Sequence, residues 1–382
     1  MRSGFLATVL GVSFAAALAA AAPAHAQDVK VAGLVELSGP SATTGTNFDN
    51  GVKLAVKEIN AKGGILGKQI AYRSWDTQSQ PGVALGLTTR AVDDGAVVVM
   101  GPGTSGSALV SMKATREAEI PNFTGAEVQS LTEQGNPYIF RTSLTQASSM
   151  PKVVQFMKDN LKVKTVAVMF INNDFGKGGR DIIVDLFGKA GIKVVADIST
   201  EPGQIDFSSA VLRIKQSGAD ALFSYTVEDE SARALRELRK QGYDKPIVGE
   251  STLASAKVIE LAGDAANGIY CHVGLTVDAP DQHIQAFSKA FTAAYGYKSD
   301  HNAMKGYTGM YTAKAVFERL GKIDPKAFAA ALHGATLKVS DAPGILFDTT
   351  YNAKGDLNRE SYIVQVKEGK AVVVETLKPA SP

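Results

Sequence analysis

Short β-branched runs alternate with amphipathic stretches along most of this chain. Residues 29–34 form the first run, and behind it Phe48, Val52, Ala55, Val56 and Ile59 recur at helical spacing, predicting a helix over 48–62 that Gly63 stops. Residues 69–75 read as the next strand, 82–93 as a helix with Val83, Leu87 and Ala91 inward, and 96–100 as a buried strand. The rhythm then restarts, with helices over 153–161, 178–190 and 208–216 alternating with strands over 165–171, 193–198 and 221–225. Such alternation specifies parallel sheets covered on both faces, so the predicted fold class is α/β with two doubly wound parallel-sheet units, one on each side of about residue 145. The junction Arg141-Thr142-Ser143-Leu144-Thr145 holds no Gly/Ser-rich tether, which favours a hinge under structural control.

The N-terminus breaks this pattern. Arg2, the apolar run 5–22 and Ala24-His25-Ala26 make a secretory signal (1–26) whose cleavage leaves Gln27 as the first mature residue. After residue 27 no run is long and apolar enough to span a membrane. The single cysteine, Cys271, cannot close an intramolecular disulfide, does not follow the signal as a lipid attachment point, and reads as a small core residue in the apolar run 268–273. Charge is balanced: 40 basic residues less Arg2 leave 39 against 38 acidic ones, with no nucleic-acid footprint or polybasic membrane arm. The expectation is a periplasmic monomer that diffuses freely and has no nucleic-acid partner.

Candidate chemistry begins at Gly101-Pro102-Gly103-Thr104-Ser105-Gly106-Ser107, a match to G-x-G-x-x-G between a strand and a helix containing Ala108, Leu109 and Met112. A dinucleotide reading fits poorly, because the motif follows a third strand rather than the first and no acidic residue ends a strand about twenty positions on. No Lys-Ser/Thr pair closes it as a Walker loop. Two readings stay open: a carboxylate-binding helix N-terminus with Thr104 and Ser105 as added donors, or a plain βα turn with an N-cap serine. His272, His283, His301 and His333 have no metal-ligand spacing and read as surface or satisfied core residues. Neither G-x-S-x-G nor H-E-x-x-H occurs, and no cofactor is expected.

Leu37-Ser38-Gly39-Pro40, Glu58-Ile59-Asn60-Ala61-Lys62-Gly63-Gly64-Ile65, Gly101 to Ser107, Pro137-Tyr138-Ile139-Phe140-Arg141-Thr142 and Asp174-Phe175-Gly176-Lys177-Gly178 follow one another in an order that resembles the leucine/isoleucine/valine-type periplasmic binding proteins of ABC importers. The resemblance spans essentially the whole mature chain. It implies two lobes joined by a three-crossing hinge, with 27–144 plus about 275–340 in one lobe and 145–274 plus about 341–377 in the other. A ligand would lie between them, and a membrane permease would recognise the closed form.

Carried over residue by residue, the resemblance implies that Ser105, with Thr104 beside it, holds a ligand carboxylate and that Gly125-Ala126-Glu127 faces the ligand head group. Glu127 there replaces a small hydroxyl residue, unless Thr124 supplies it; it either pairs with an ammonium or remains a solvated helix-start carboxylate. In the second lobe Phe175 replaces a tyrosine, and Glu228 and Glu250 follow strand ends, with Glu250, next to Ser251, the better ammonium partner. Thr44 and Phe175 imply a roomier, less polar cleft, in which Tyr225 and Tyr307 are either ring-stacking walls or core. Branched-chain or other neutral amino acids are the first ligand expected, aromatic carboxylates or keto acids the second. A ligand-sensing role is the alternative from another class, and an enzyme comes third for want of a nucleophile and base.

Overall fold

The computed structural model describes residues 28–379; the expected signal segment and its cleavage after Ala26 lie outside them. Strand β1 (Val29–Val35) leads into α1 (Ala42–Ala61), β2 (Ile70–Asp76), α2 (Pro81–Asp93), β3 (Val98–Met100), α3 (Ser105–Glu117), β4 (Asn122–Thr124) and β5 (Ile139–Arg141). These five strands form one all-parallel sheet in the order β2-β1-β3-β4-β5. The short strands β3, β4 and β5 are buried along their whole length; β3 accordingly reads as a continuous apolar run, while Asn122, Thr124 and Arg141 of the other two spend their polar groups on hydrogen bonds inside the protein.

A second series follows: α4 (Gln146–Asp159), β6 (Thr165–Ile171), α5 (Asp174–Ala190), β7 (Lys193–Thr200), α6 (Ser208–Gln216), β8 (Ala221–Tyr225), α7 (Glu228–Lys240), β9 (Ile247–Gly249), α8 (Ala256–Ala262) and β10 (Tyr270–Val273). Its parallel strands run β7-β6-β8-β9-β10, the order of the first lobe repeated. Cys271 is fully buried in β10, as its apolar surroundings predict.

The chain then returns to the first lobe through α9 (Gln282–Tyr295), α10 (His301–Leu320) and α11 (Pro325–Leu332). A small antiparallel sheet of β11 (Thr336–Leu337), β12 (Thr349–Tyr351) and β13 (Leu357–Asn358) stays with that lobe. Tyr351 Oη donates to the Arg141 carbonyl at 3.0 Å, and Thr132 Oγ1 donates to Asp356 at 2.7 Å. Only β14 (Ser361–Lys367) and β15 (Lys370–Leu377) rejoin the second sheet, antiparallel beside β10. The last crossing therefore falls at 359–360 and not near 341, because the chain up to β13 spends its hydrogen bonds on the small sheet and the first lobe. The three crossings touch one another: the buried Arg359 donates to the Thr142 carbonyl at 3.0 Å, and Gly274 lies against Leu144.

Two differences from the sequence pattern matter for the cleft. Helix α1 starts at Ala42, earlier than the expected 48, because Gly45 lets its first turn press on the end of β1; a Cβ on Gly45 would lie 2.2 Å from the Glu36 carbonyl oxygen. Ser41 and Thr44 are thereby placed at the cleft. Helices α1 and α10 meet backbone to backbone at two glycines, since a Cβ on Gly51 would lie 1.9 Å from the Ala303 carbonyl oxygen and one on Gly306 2.1 Å from that of Phe48. Overpacking of this kind costs about 1–3 kcal/mol or more, so Gly306→Ala is expected to lower the thermal unfolding midpoint by several degrees, read by calorimetry. An unchanged midpoint would mean that the helices separate freely.

Candidate ligand-binding cleft

In an open parallel sheet a crevice forms outside the carboxyl ends of neighbouring strands whose connections run in opposite directions. Both sheets have such a point, between β1 and β3 in the first lobe and between β6 and β8 in the second. The loops leaving those four strands face one another across a cavity of about 250 Å³. That lies just below the ~300–1,000 Å³ usual for ligand pockets and suits a small solute.

The glycine-rich loop after β3 forms one wall, but its donors are divided. The buried Glu36, at the end of β1, accepts from Gly103 N at 3.1 Å, Thr104 N at 3.2 Å and Thr104 Oγ1 at 2.8 Å. Burial pushes the Glu36 carboxyl up, and the Thr104 and Gly103 donors pull it back. Thr104 therefore borders the cavity with its donors already engaged by the protein's own carboxylate. Residues Ser105, Gly106 and Ser107 open α3, whose first intrahelical bond runs from Ala108 N to the Thr104 carbonyl, so their N–H groups are the free first-turn donors. Ser105 Oγ accepts from Val128 N at 3.4 Å and lines the cavity. Asp174, from the second lobe, leans onto this helix end: a Cβ on Gly106 would lie 2.9 Å from its Oδ2.

Gly125 and Glu127 line the cavity as expected, whereas Ala126 turns inward and its carbonyl accepts from Arg141 Nη1 at 2.9 Å. Arg141, fully buried, also donates to the Val128 carbonyl at 2.7 Å and to Asp356 at 2.7 Å, fixing the whole segment. Thr124 does not supply a ligand hydroxyl, because its Oγ1 donates to the Pro102 carbonyl at 2.6 Å. Glu127 is no solvated helix-start carboxylate: it accepts from Lys305 Nζ at 2.9 Å across the cavity wall.

In the second lobe Phe175 lines the cavity and stacks on Tyr225 with ring centroids 4.2 Å apart. Tyr225 itself is core, and Tyr307 is buried with its hydroxyl on Glu58, so neither is a ligand wall. Glu228 stands at the first residue of α7 and ties the lobes together, accepting from Thr44 Oγ1 at 3.1 Å and from Asn302 Nδ2 at 3.1 Å. Burial, with Asp300 nearby, pushes its carboxyl up to about 7, against the pull of Thr44 and Lys305.

Glu250 and Ser251 stand apart from this cavity. They follow β9, one strand removed from the switch point, and border a separate space of about 10 Å³ beside the hinge. There Glu250 faces His272 Nδ1 at 3.0 Å, and Ser251 Oγ accepts from Gly274 N at 3.4 Å. Thr252 reaches the main cavity instead. Beside Thr44 and Phe175 the cavity is also lined by Asp174, His301, Asn302 and Lys305.

The sequence pattern marks none of the four as a ligand contact: Asp174 enters only in a family landmark, and His301 reads as a surface or satisfied core residue. For Lys305 a cue existed, since a lysine set among the small and apolar residues 303–311 is not on a solvated helix face. Asp300 caps α10 by accepting from Asn302 N at 2.9 Å and Ala303 N at 3.0 Å, a start signal that places His301 and Asn302 in a first turn. Which cleft that turn faces is a tertiary matter.

Two doubly wound lobes, three crossings and a cavity between facing switch points define a two-lobed solute-binding protein. The chain belongs to the periplasmic binding protein family, whose model matches residues 28–371. It is similar to the Leu/Ile/Val-binding protein BraC3 of Rhizobium johnstonii, 28% identical over 96% of this chain and 99% of that one. Among solved structures it resembles the branched-chain amino acid transporter substrate-binding protein LivJ of Streptococcus pneumoniae in complex with isoleucine, at 26% identity and TM-score 0.84, covering 92% of this chain and 100% of that one. A solute-binding protein of an ABC transporter from R. palustris in complex with benzoate shares the fold, at 24% identity and TM-score 0.85, covering 93% of this chain and 98% of the other. Among the described residues no helix is long and apolar enough to cross a membrane.

Proposed function

We propose that this protein is the periplasmic solute-binding component of an ABC importer and that it closes on a neutral α-amino acid, which its permease partner then accepts. The relatives are named as solute-binding proteins, which supports a binder over a catalyst. One observation carries the ligand class. The cavity wall holds Glu127, Asp174 and Glu228 against a single ammonium, Lys305, which is already paired with Glu127. A plain carboxylate such as an aromatic acid adds negative charge to that set, whereas a zwitterion brings its own ammonium. In this reading the ligand carboxylate takes the free N–H groups of Ser105, Gly106 and Ser107, and the ammonium takes Glu228.

The test is a thermal-shift screen of ligand-stripped protein with amino acids, aromatic carboxylates and keto acids. A ligand bound only by the folded state at ~100 times its Kd stabilises by about 2.7 kcal/mol. Neutral amino acids are expected to raise the midpoint; a shift with aromatic or keto acids alone would reverse the assignment. Ser105→Ala removes one hydroxyl and keeps the backbone donors, so it is expected to weaken every amino acid bound by about 0.5–1.5 kcal/mol, measured by isothermal titration.

A further inference from the structure

Helix α10 presents His301, Asn302 and Lys305 to the cavity. Two of the three are committed to the protein. Asn302 Nδ2 donates to Glu228, and Lys305 Nζ donates to Glu127 at 2.9 Å and to the Gly125 carbonyl at 3.3 Å. His301 is not: it is 6% exposed, and neither ring nitrogen has a hydrogen-bond partner among the described residues. His301 lines the main cavity and also borders two neighbouring spaces, the 10 Å³ one shared with Glu127 and Lys305 and a wider one of about 660 Å³. Burial and the neighbouring Lys305 charge hold the imidazole well below its ordinary range, in its neutral form. A neutral imidazole offers one N–H donor and one nitrogen acceptor.

We propose that His301 is a specificity-determining residue of this cleft, and that the bound amino acid carries an uncharged hydrogen-bonding side chain, a hydroxyl or a carboxamide, which pairs with its ring. The inference rests on the amino-acid reading above and narrows it. An aliphatic side chain leaves a buried imidazole with nothing to bond, and buried polar groups left unpaired are what make polar sites reject apolar isosteres. An acidic side chain adds a further carboxylate to Glu127, Asp174 and Glu228, and a basic one lies beside Lys305. A hydroxyl or carboxamide can both donate and accept, matching the donor and acceptor of the ring.

Near-isosteric pairs test this directly. Isothermal titration of the ligand-stripped mature protein with asparagine against leucine, and threonine against valine, is expected to favour the polar member of at least one pair by about tenfold or more. His301→Phe is expected to abolish that preference, while His301→Gln, which keeps a donor and an acceptor, retains it; circular dichroism melts establish that both variants are folded. Leucine and valine binding as tightly as their polar counterparts would overturn the proposal and leave the amino-acid reading intact. So would a preference that survives in His301→Phe. Binding of no amino acid at all would remove the underlying reading and this inference together.

Discussion

Glu228→Gln is expected to weaken amino-acid binding by a hundredfold or more, in line with the about 2–5 kcal/mol lost when one partner of a buried, hydrogen-bonded charge pair is neutralised. The amide keeps the size of the side chain and can still accept from Thr44 and Asn302, so the lobes should still meet and the loss should fall on the ligand's ammonium. Glu250→Gln is the matched control. Although strand-end position made Glu250 the better candidate, it faces His272 beside the hinge, and its replacement should leave ligand affinity within a few-fold of wild type. Equal losses in both variants would show that the assignment to Glu228 is mistaken.

The same carboxyl sets a pH dependence whose sign is fixed. Buried near Asp300, Glu228 titrates at about 7 in the ligand-free protein, above the ordinary carboxylate range. A folded-state pKa raised in this way contributes stability that is present at low pH and lost as pH rises through about 7. An ammonium ligand needs the ionised form, so its affinity should rise through the same interval as its own charge replaces the missing counter-ion. Glu228→Gln should flatten the affinity trend and only part of the stability trend, because burial also pushes the Glu230 carboxyl up to about 7. Titrations across this pH range with wild type and variant check it, and a wild-type affinity that falls through neutrality would contradict the pairing.

The second large effect is on stability. Arg141→Ala removes a fully buried guanidinium that donates to Asp356 and to the carbonyls of Ala126 and Val128, and leaves the Asp356 carboxylate without its cationic partner, with only Thr132 Oγ1 and Asn352 Nδ2 as donors. Breaking a buried ion pair from one side costs about 3–5 kcal/mol. Because the same guanidinium pins the segment that carries Gly125 and Glu127, ligand affinity should fall together with the denaturation midpoint. Arg141→Lys keeps the charge but lacks the planar fork, and should recover only part of the loss. Denaturant unfolding of the three proteins is the measurement; an alanine variant as stable as wild type would mean that water or backbone rearrangement replaces those bonds.

The path from sequence to site is uneven for reasons that particular residues make plain. Strand and helix follow from periodicity, and Ser105 at the opening of α3 follows from a strand, a run of small residues and a helix in that order. The Gly103 and Thr104 donors were legible as donors, but their partner, Glu36, lies 67 and 68 positions earlier, and no local pattern announces it. Choosing Glu228 over Glu250 needed the strand order, because both glutamates follow strand ends and only β8 borders the switch point.

What the sequence determined by itself is therefore local and repetitive. Apolar spacing selects each strand and helix, and their alternation demands two parallel sheets. What the tertiary structure alone decided is who meets whom across a distance. It brought His301, Asn302 and Lys305 of a late helix to a cavity begun by β1 and β3, because paired glycines let α10 close on α1. It also folded the chain as far as β13 into the first lobe. Hydrogen bonds and ion pairs between segments hundreds of residues apart depend on sheet order and helix contact, and those are properties of the packed chain that no short window of residues contains.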